Sequence, residues 1–476
     1  MIAKDVGIQP DIDMEKLLEQ EPMDWLDSTY VGSELWWRGL AKIGGPFQCS
    51  FSEPASSFNG KRRVDFFWRD PEGNQDESTI FQVLLDINSV TNHKSWEPTC
   101  LKRVKNTDVW HQCVYVDEKW RGSYSFIPLM QNQSSSVVYA LSDGSSKAQR
   151  SWYLSIMDFA IADPLNTRPE IISNRGTSAS MLIMNDAEVE MGWDQWDQRT
   201  LPPKKREDVF SFLWKSDLLK NTRRIWHIET HRSNESFSTS DRQKGVREKV
   251  PKPIVILLDG QRWTAPSGTP SVLSYLTEIG EIAPAHYLLI DSLDGETRWK
   301  ELSCNITFWQ AMFTELAVEA AHKVNLPSLE SNVIIAGQSL GGLSAFYAGV
   351  HFETYVTKVI SLSGSFWWPD VDRLVAHQSK ESCLNELILG TPLGGPLEEL
   401  QRGCIDVKHL ELFISVGSGE GDMNLYNDIL ATSLQRKQAR FTFERFSGGH
   451  DWLAWRFSLI NGLRTLVPHN PSYQRV

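Results

Sequence analysis

Long apolar runs are missing from this chain of 476 residues: none approaches the roughly 20 consecutive apolar residues that a membrane-spanning helix needs. A helical membrane protein is excluded. Positive charge is also in short supply, since 48 Lys and Arg stand against 60 Asp and Glu for a formal charge of −12. Wholesale attraction to phosphate backbones or anionic lipid is therefore not expected, and neither nucleic acid nor membrane insertion is predicted. Cysteine is sparse. Cys49, Cys100, Cys113, Cys304, Cys383 and Cys404 are scattered with no CxxC pair, which argues against a metal site and for free thiols in a reducing compartment. No metal and no cofactor are expected. The first twenty residues are acidic throughout and lack the apolar segment of roughly 7 to 15 residues that a secretory signal contains, so the expected location is the cytoplasm.

Tryptophan, by contrast, is abundant, with nineteen in the chain. So much aromatic area suits an all-β core or an aromatic-lined pocket. At roughly 150 residues per domain, the length corresponds to two or three domains. Residues 1–30 read as an acidic tail. From 31 to about 200 the texture is β: 64–68 (VDFFW), 79–85 (TIFQVLL), 109–116 (VWHQCVYV) and 123–127 (SYSFI) are separated by turn clusters. Short strands at this spacing predict a β-sandwich. The Ser- and Gln-rich stretch 131–146 reads mostly as surface loop.

Around 202–206 (PPKKR) the composition turns polar and basic, which places the linker at 201–220 and a second domain at 221–476. Its pattern is different. The runs 254–258 (IVILL), 287–290 (YLLI), 333–336 (VIIA), 359–362 (VISL) and 412–416 (LFISV) are of the kind buried on both faces of a sheet. Helical patterns lie between several of them, at 308–324 and 424–436. Strands alternating with helices predict a mostly parallel sheet. The hydrophilic stretch 231–253 reads as a hairpin insertion.

One motif carries chemistry. Residues 333–345 (VIIAGQSLGGLSA) are a buried strand, a GxSxG turn and a helix of small and apolar residues, the context a nucleophile elbow requires. Ser339 must sit in a strained turn for its oxygen to project above the sheet, and Gly337 and Gly341 let the flanking backbone pass. A hydroxyl is a feeble nucleophile at neutral pH and needs a base, which this fold places downstream. Of the five downstream histidines, His351 closes the helix that starts at the elbow, His377 and His409 sit in polar contexts, and His469 lies in the tail. His450 remains, in the glycine turn 446–452 (FSGGHDW) between a strand and a helix.

The acid that orients it should follow the strand at 412–416, where Glu420 and Asp422 sit two residues apart. Spacing alone does not separate them. An oxyanion hole needs two backbone donors: Leu340, after the nucleophile, and Gln261 in the loop of 256–263 (ILLDGQRW).

With these residues in place, the C-terminal half resembles the enterochelin (enterobactin) esterase family, α/β-hydrolases of the esterase-D kind. The strings are 257–263 (LLDGQRW), 290–302 (IDSLDGETRWKEL), 336–351 (AGQSLGGLSAFYAGVH), 363–369 (SGSFWWP) and 448–456 (GGHDWLAWR). The N-terminal half resembles that family's Ig-like domain through 32–39 (GSELWWRG), 66–73 (FFWRDPEG), 107–112 (TDVWHQ), 120–128 (WRGSYSFIP) and 161–166 (IADPLN). The resemblance implies a cytoplasmic hydrolase that opens the cyclic triester of 2,3-dihydroxybenzoylserine, usually after iron uptake. It puts the family's nucleophile on Ser339, its histidine on His450, its acid on Glu420 rather than Asp422, and its RxxEL arginine on Arg298, with Glu301 and Leu302 in place. The chain departs from the pattern in the insertion 231–253 and in an acid loop, GSGEGDM, that lacks the usual proline after the glutamate.

A ferric tris-catecholate is anionic and flat-ringed, so it calls for local positive charge and aromatic faces. Arg298 and Arg262, in loops after strands, and Trp299, Trp367 and Trp368 along the same sheet edge are the candidate substrate contacts. Iron would arrive only as part of this small-molecule catecholate siderophore. Two other functions compete: a carbohydrate or feruloyl esterase, and a siderophore-binding protein built on an inactive hydrolase.

Overall fold

The computed structural model describes residues 24–48, 60–92, 94–173, 176–203, 209–232, 252–264, 267–330, 333–369 and 395–467. The chain divides into two compact units between Ala187 and Glu188, earlier than the change in composition near 202.

In the first unit the strands are β1 (Phe47–Gln48), β2 (Lys61–Arg69), β3 (Ile80–Ile87), β4 (Lys102–Arg103), β5 (Val109–Asp117), β6 (Arg121–Met130), β7 (Ile171–Ile172) and β8 (Ser178–Ile183). They form two four-stranded antiparallel sheets, ordered β1-β2-β5-β4 and β3-β6-β8-β7. Period-2 alternation sends Val64, Phe66 and Trp68 of one sheet and Val83, Leu85 and Phe126 of the other into a shared core. The opposite faces are covered too. Phe67 packs with Trp36 and Trp37 of the helix Glu34–Ile43, and Leu84 and Ile127 pack with Trp152 of the helix Ser146–Ile156.

Two expectations for this unit are corrected. Part of the presumed tail belongs to the core, because Trp25 is fully buried and its carbonyl accepts a 3.0 Å bond from the Trp36 indole. Residues 131–146 are not mostly loop: Gln131–Gln133 form a 3-10 turn and Ser135–Ala140 a helix. Its short apolar run, with Tyr139 and Leu141 exposed, gave no amphipathic signal.

The second unit is built on one mixed sheet of β9 (Phe210–Ser216), β10 (Asn221–Glu229), β11 (Ile254–Leu257), β12 (His286–Ile290), β13 (Val333–Gln338), β14 (Val356–Leu362), β15 (Glu411–Gly417) and β16 (Arg440–Phe446). The order is β16-β15-β14-β13-β11-β12-β10-β9. Pairings from β12 through β16 are parallel, and those of β10 with β12 and β9 are antiparallel. β9 lies within the stretch expected to be linker. Its buried residues Phe212, Trp214 and Ser216 alternate with exposed ones, a strand signal masked by the polar composition just before it. Most of the insertion 231–253 lies outside the described residues.

Both sheet faces are covered, which is why its central strands read as unbroken apolar runs. Ile254, Ile256, Val333 and Ile335 face one core with the helix Leu340–His351, while Val255, Leu257, Ile334 and Ala336 face another with the helix Trp452–Leu466. Because the central strands run the same way, the loops after β11 to β16 emerge at one edge.

Candidate active site

Ser339 follows β13 at that edge with φ +56 and ψ −121, a conformation a non-glycine residue holds only under constraint. The constraint is visible. Ser339 N–H donates to the Leu362 carbonyl at 2.8 Å, and the Ser339 carbonyl accepts from Ser365 N–H at 3.0 Å. At Gly337 a Cβ would lie 2.4 Å from the Gly341 carbonyl oxygen, so glycine is obligatory there. The expectation for Gly341 changes: a Cβ on it would meet only ordinary contacts, and it is Gly342 that is tight, at 2.8 Å from Ser361 Oγ.

His450 arrives from the turn after β16, fixed by Asp451, whose Oδ1 accepts from Leu453 N–H at 2.8 Å and caps the following helix. Its Nε2 lies 3.0 Å from Ser339 Oγ and its Nδ1 2.6 Å from Glu420 Oε2. The imidazole is 34% exposed while the Glu420 side chain is wholly buried, so the ring can meet a ligand and the carboxylate cannot. Of the two acids that spacing left open, Glu420 stands against the imidazole; Asp422 is the first residue of the helix Asp422–Arg436, where its charge suits the helix N-terminus. Elsewhere, His351 pairs with Glu399 at 3.3 Å and His409 faces the Gly349 carbonyl at 2.9 Å. His377 and His469 lie outside the described residues.

The expected donors sit in helical first turns after adjacent strands. Leu340 is the first residue of the helix Leu340–His351, and Gln261 the second of the short helix Gly260–Thr264 that follows β11. First-turn N–H groups have no intrahelical acceptor and stay free for an anion. Gln261 is held by its own side chain, which donates to Ser292 Oγ at 2.6 Å and accepts from Ser292 N–H at 3.1 Å.

Arg262 and Arg298 are on short helices rather than loops. Arg298 Nε and Nη2 reach Asp259 Oδ1 and Oδ2 at 2.6 and 2.8 Å, and this carboxylate holds the guanidinium's pKa above its ordinary value against the opposing effect of burial. The arginine is 29% exposed and keeps Nη1 for other partners. Trp367 and Trp368 are half-buried, and Trp299, 48% exposed, stacks on Trp367 at 6.1 Å. Sequence reading missed Asp259, Gln338, Ser363, Ser365 and Trp455, although each lies inside a quoted string. Ser365 Oγ is 3.4 Å from Ser339 Oγ. Among the described residues, no group of three or more His, Cys, Asp or Glu could hold a metal ion, and no helix is long and apolar enough to cross a membrane.

A serine hydroxyl bonded to an imidazole, itself bonded to a buried carboxylate, can carry out nucleophilic acyl transfer. Known proteins agree with that chemistry. The Enterochelin esterase, N-terminal family model matches residues 63–193, and the Esterase model matches 244–466. The iron(III) enterobactin esterase of Dickeya dadantii (strain 3937) is 34% identical over 442 residues, 93% of this chain and 94% of that protein. The chain belongs to the enterochelin esterase family. As a member it is a carboxylic ester hydrolase. The iron(III) enterobactin esterase of Escherichia coli (strain K12) is 32% identical over 91% of this chain and 96% of its own length. The crystal structure of the Shigella flexneri enterobactin esterase in the presence of enterobactin superposes with a TM-score of 0.72 at 32% identity, covering 92% of this chain and 98% of that one.

Proposed function

We propose that this esterase cleaves the ester bonds of enterobactin-type catecholate siderophores, iron-loaded or free, to 2,3-dihydroxybenzoylserine. The observation that carries the reading is the unbroken line from Ser339 Oγ through His450 to Glu420 Oε2, at 3.0 and 2.6 Å. Ser339 Oγ attacks the ester carbonyl while its proton passes to His450 Nε2. Glu420 holds the Nδ1–H tautomer and stabilises the imidazolium. The tetrahedral oxyanion is met by the Leu340 and Gln261 amides. Collapse breaks the C–O bond, and the serine alkoxide of the substrate leaves with the proton from Nε2. Water, deprotonated by the same imidazole, then releases the acid and restores Ser339.

Arg262, Nη1 of Arg298 and the faces of Trp367 and Trp368 receive the anionic, flat catecholates. The chemistry uses no cofactor, and iron enters only with the substrate. The first unit is an Ig-like sandwich, and the second an α/β-hydrolase whose sheet is parallel apart from the antiparallel pairings of β10 with β12 and β9. Action in the cytoplasm fits the free thiols of Cys100, Cys113, Cys304 and Cys404, together with release of iron after uptake.

The test is Ser339→Ala: release of dihydroxybenzoylserine from enterobactin should stop while the ferric complex still binds. Appreciable turnover by that variant would end the proposal, and robust release from feruloylated or acetylated xylan with none from enterobactin would reassign the substrate.

A further inference from the structure

The Glu420 carboxylate has a second side. Its Oε2 serves His450, and its Oε1 accepts from Ser363 Oγ at 2.6 Å and from Gly417 N–H at 2.6 Å. Ser363 Oγ in turn accepts from the Trp455 indole N–H at 2.9 Å, and the Trp455 ring stands edge-on to His450 with centroids 4.6 Å apart. All three side chains are buried, with Ser363 at 0% exposure.

The direction of this chain is fixed by chemistry. An indole N–H only donates, and a hydroxyl has one proton. Trp455 can only donate and the ionised carboxylate can only accept, so Ser363 accepts from the indole and turns its own proton to Glu420. Ser363 also holds φ at +49, in the left-handed region that a β-carbon disfavours. A serine kept there at a conformational cost, with a hydroxyl bonded on both sides, has its side chain in use.

We propose that Ser363 and Trp455 are positioning residues for the reaction: they anchor Oε1 of Glu420 so that Oε2 stays on His450 Nδ1 throughout the catalytic cycle. The inference rests on the triad reading above. Without the anchor, Glu420 is held only by the Gly417 amide and can rotate away from the imidazole, which then loses its tautomer and its counter-charge. Trp455 acts at one remove, through the hydroxyl and by packing against the ring.

The experiment uses the full-length protein and iron-free enterobactin, with Ser339→Ala, Ser363→Gly, Trp455→Phe and the double Ser363→Gly/Trp455→Phe. Glycine adopts the φ of position 363 without strain, so the hydroxyl is removed while the backbone is spared. In Ser363→Gly, kcat should fall about 10- to 100-fold, as expected for one charge-assisted hydrogen bond, with KM within about twofold. Trp455→Phe should cost less, and in the Ser363→Gly background it should cost nothing further. The short Nδ1–Glu420 bond should give the parent a downfield His450 Nδ1–H proton resonance, which should broaden or move upfield in Ser363→Gly, a change that a purely structural role would not produce. A Ser363→Gly variant with parental kcat and an unchanged resonance overturns the inference, as do losses that multiply in the double variant. Turnover by Ser339→Ala would instead overturn the hydrolase reading, so the two failures remain distinct.

Discussion

The side-chain amide of Gln338 donates to Asp259 Oδ2 at 2.9 Å, tying the residue just before Ser339 to the segment that carries Gln261. The same carboxylate takes Arg298 through two further bonds, and Asp259 itself holds φ +56. Three segments of the edge thus meet at one buried side chain. Asp259→Asn keeps the shape but weakens both attachments, so the Gln261 amide loses its fixed place. The expected result is a fall in kcat of up to about 100-fold, since removing one oxyanion donor costs about 10²–10³. Steady-state kinetics on enterobactin checks this: a raised KM with unchanged kcat would mean that Asp259 serves only the substrate contact of Arg298.

Glu420→Gln removes the charge that fixes the imidazole while preserving volume. A drop in kcat of about 10³- to 10⁴-fold is expected, with KM nearly unchanged, as for the analogous change in other triads. Asp422→Asn should leave kcat almost untouched and lower stability by about 0.3–1 kcal/mol, the worth of an acid at a helix N-terminus. If the two variants exchanged these effects, the acid would be Asp422.

What the sequence made legible follows the range of the interaction. The strands β11 to β15 were readable because burial on both faces leaves continuous apolar runs, and the elbow because strand, turn and helix are contiguous. β9 was hidden by composition, since the polar segment before it outweighed a short alternating pattern. Glu420 and Asp422 could not be separated by spacing, because the choice depends on where the turn after β16 delivers His450. The bonds from Gln338 to Asp259 and from Ser363 to Glu420 join residues 79 and 57 positions apart, and no local periodicity encodes such pairs.

Away from the site, His227 Nε2 and His286 Nδ1 lie 3.2 Å apart on adjacent strands, their rings stacked at 5.4 Å. Burial, and then the neighbouring His286, push the His227 pKa down to about 4. The unfolded chain binds a proton near pH 6.5 that the native state refuses until about pH 4, so this contribution is complete above 6.5 and is lost as pH falls from there towards 4. Burial raises Asp163 and Glu444 to about 6, and their effect runs the other way, adding stability as pH falls through that value. The net curve mixes these groups. The parent minus His227→Gln difference isolates the histidine and should change by roughly 2 kcal/mol between pH 7 and pH 4 after allowance for screening. Urea denaturation at several pH values measures it, and a flat difference would contradict the assignment.

Glu301, three residues after Arg298 on the helix Gly295–Leu302, accepts from Arg223 Nη2 at 2.6 Å and from Asn221 at 2.8 Å, with both charges almost wholly buried. Arg223 lies over the Trp214 and Phe308 rings, which offer it packing but no counter-charge of a carboxylate's strength. Glu301→Leu therefore strands a cation in the core and should cost about 3–5 kcal/mol, whereas Arg223→Met/Glu301→Leu should lie close to the parent, because a buried pair and its apolar replacement are often nearly equal in energy. Activity should follow the same order. The single variant loosens the helix that carries Arg298 to Asp259 and loses kcat, and the double variant recovers most of it. Denaturation midpoints and kcat on the same three proteins test both halves, and a single variant as stable as the double would show that the bridge is not the element holding this helix in place.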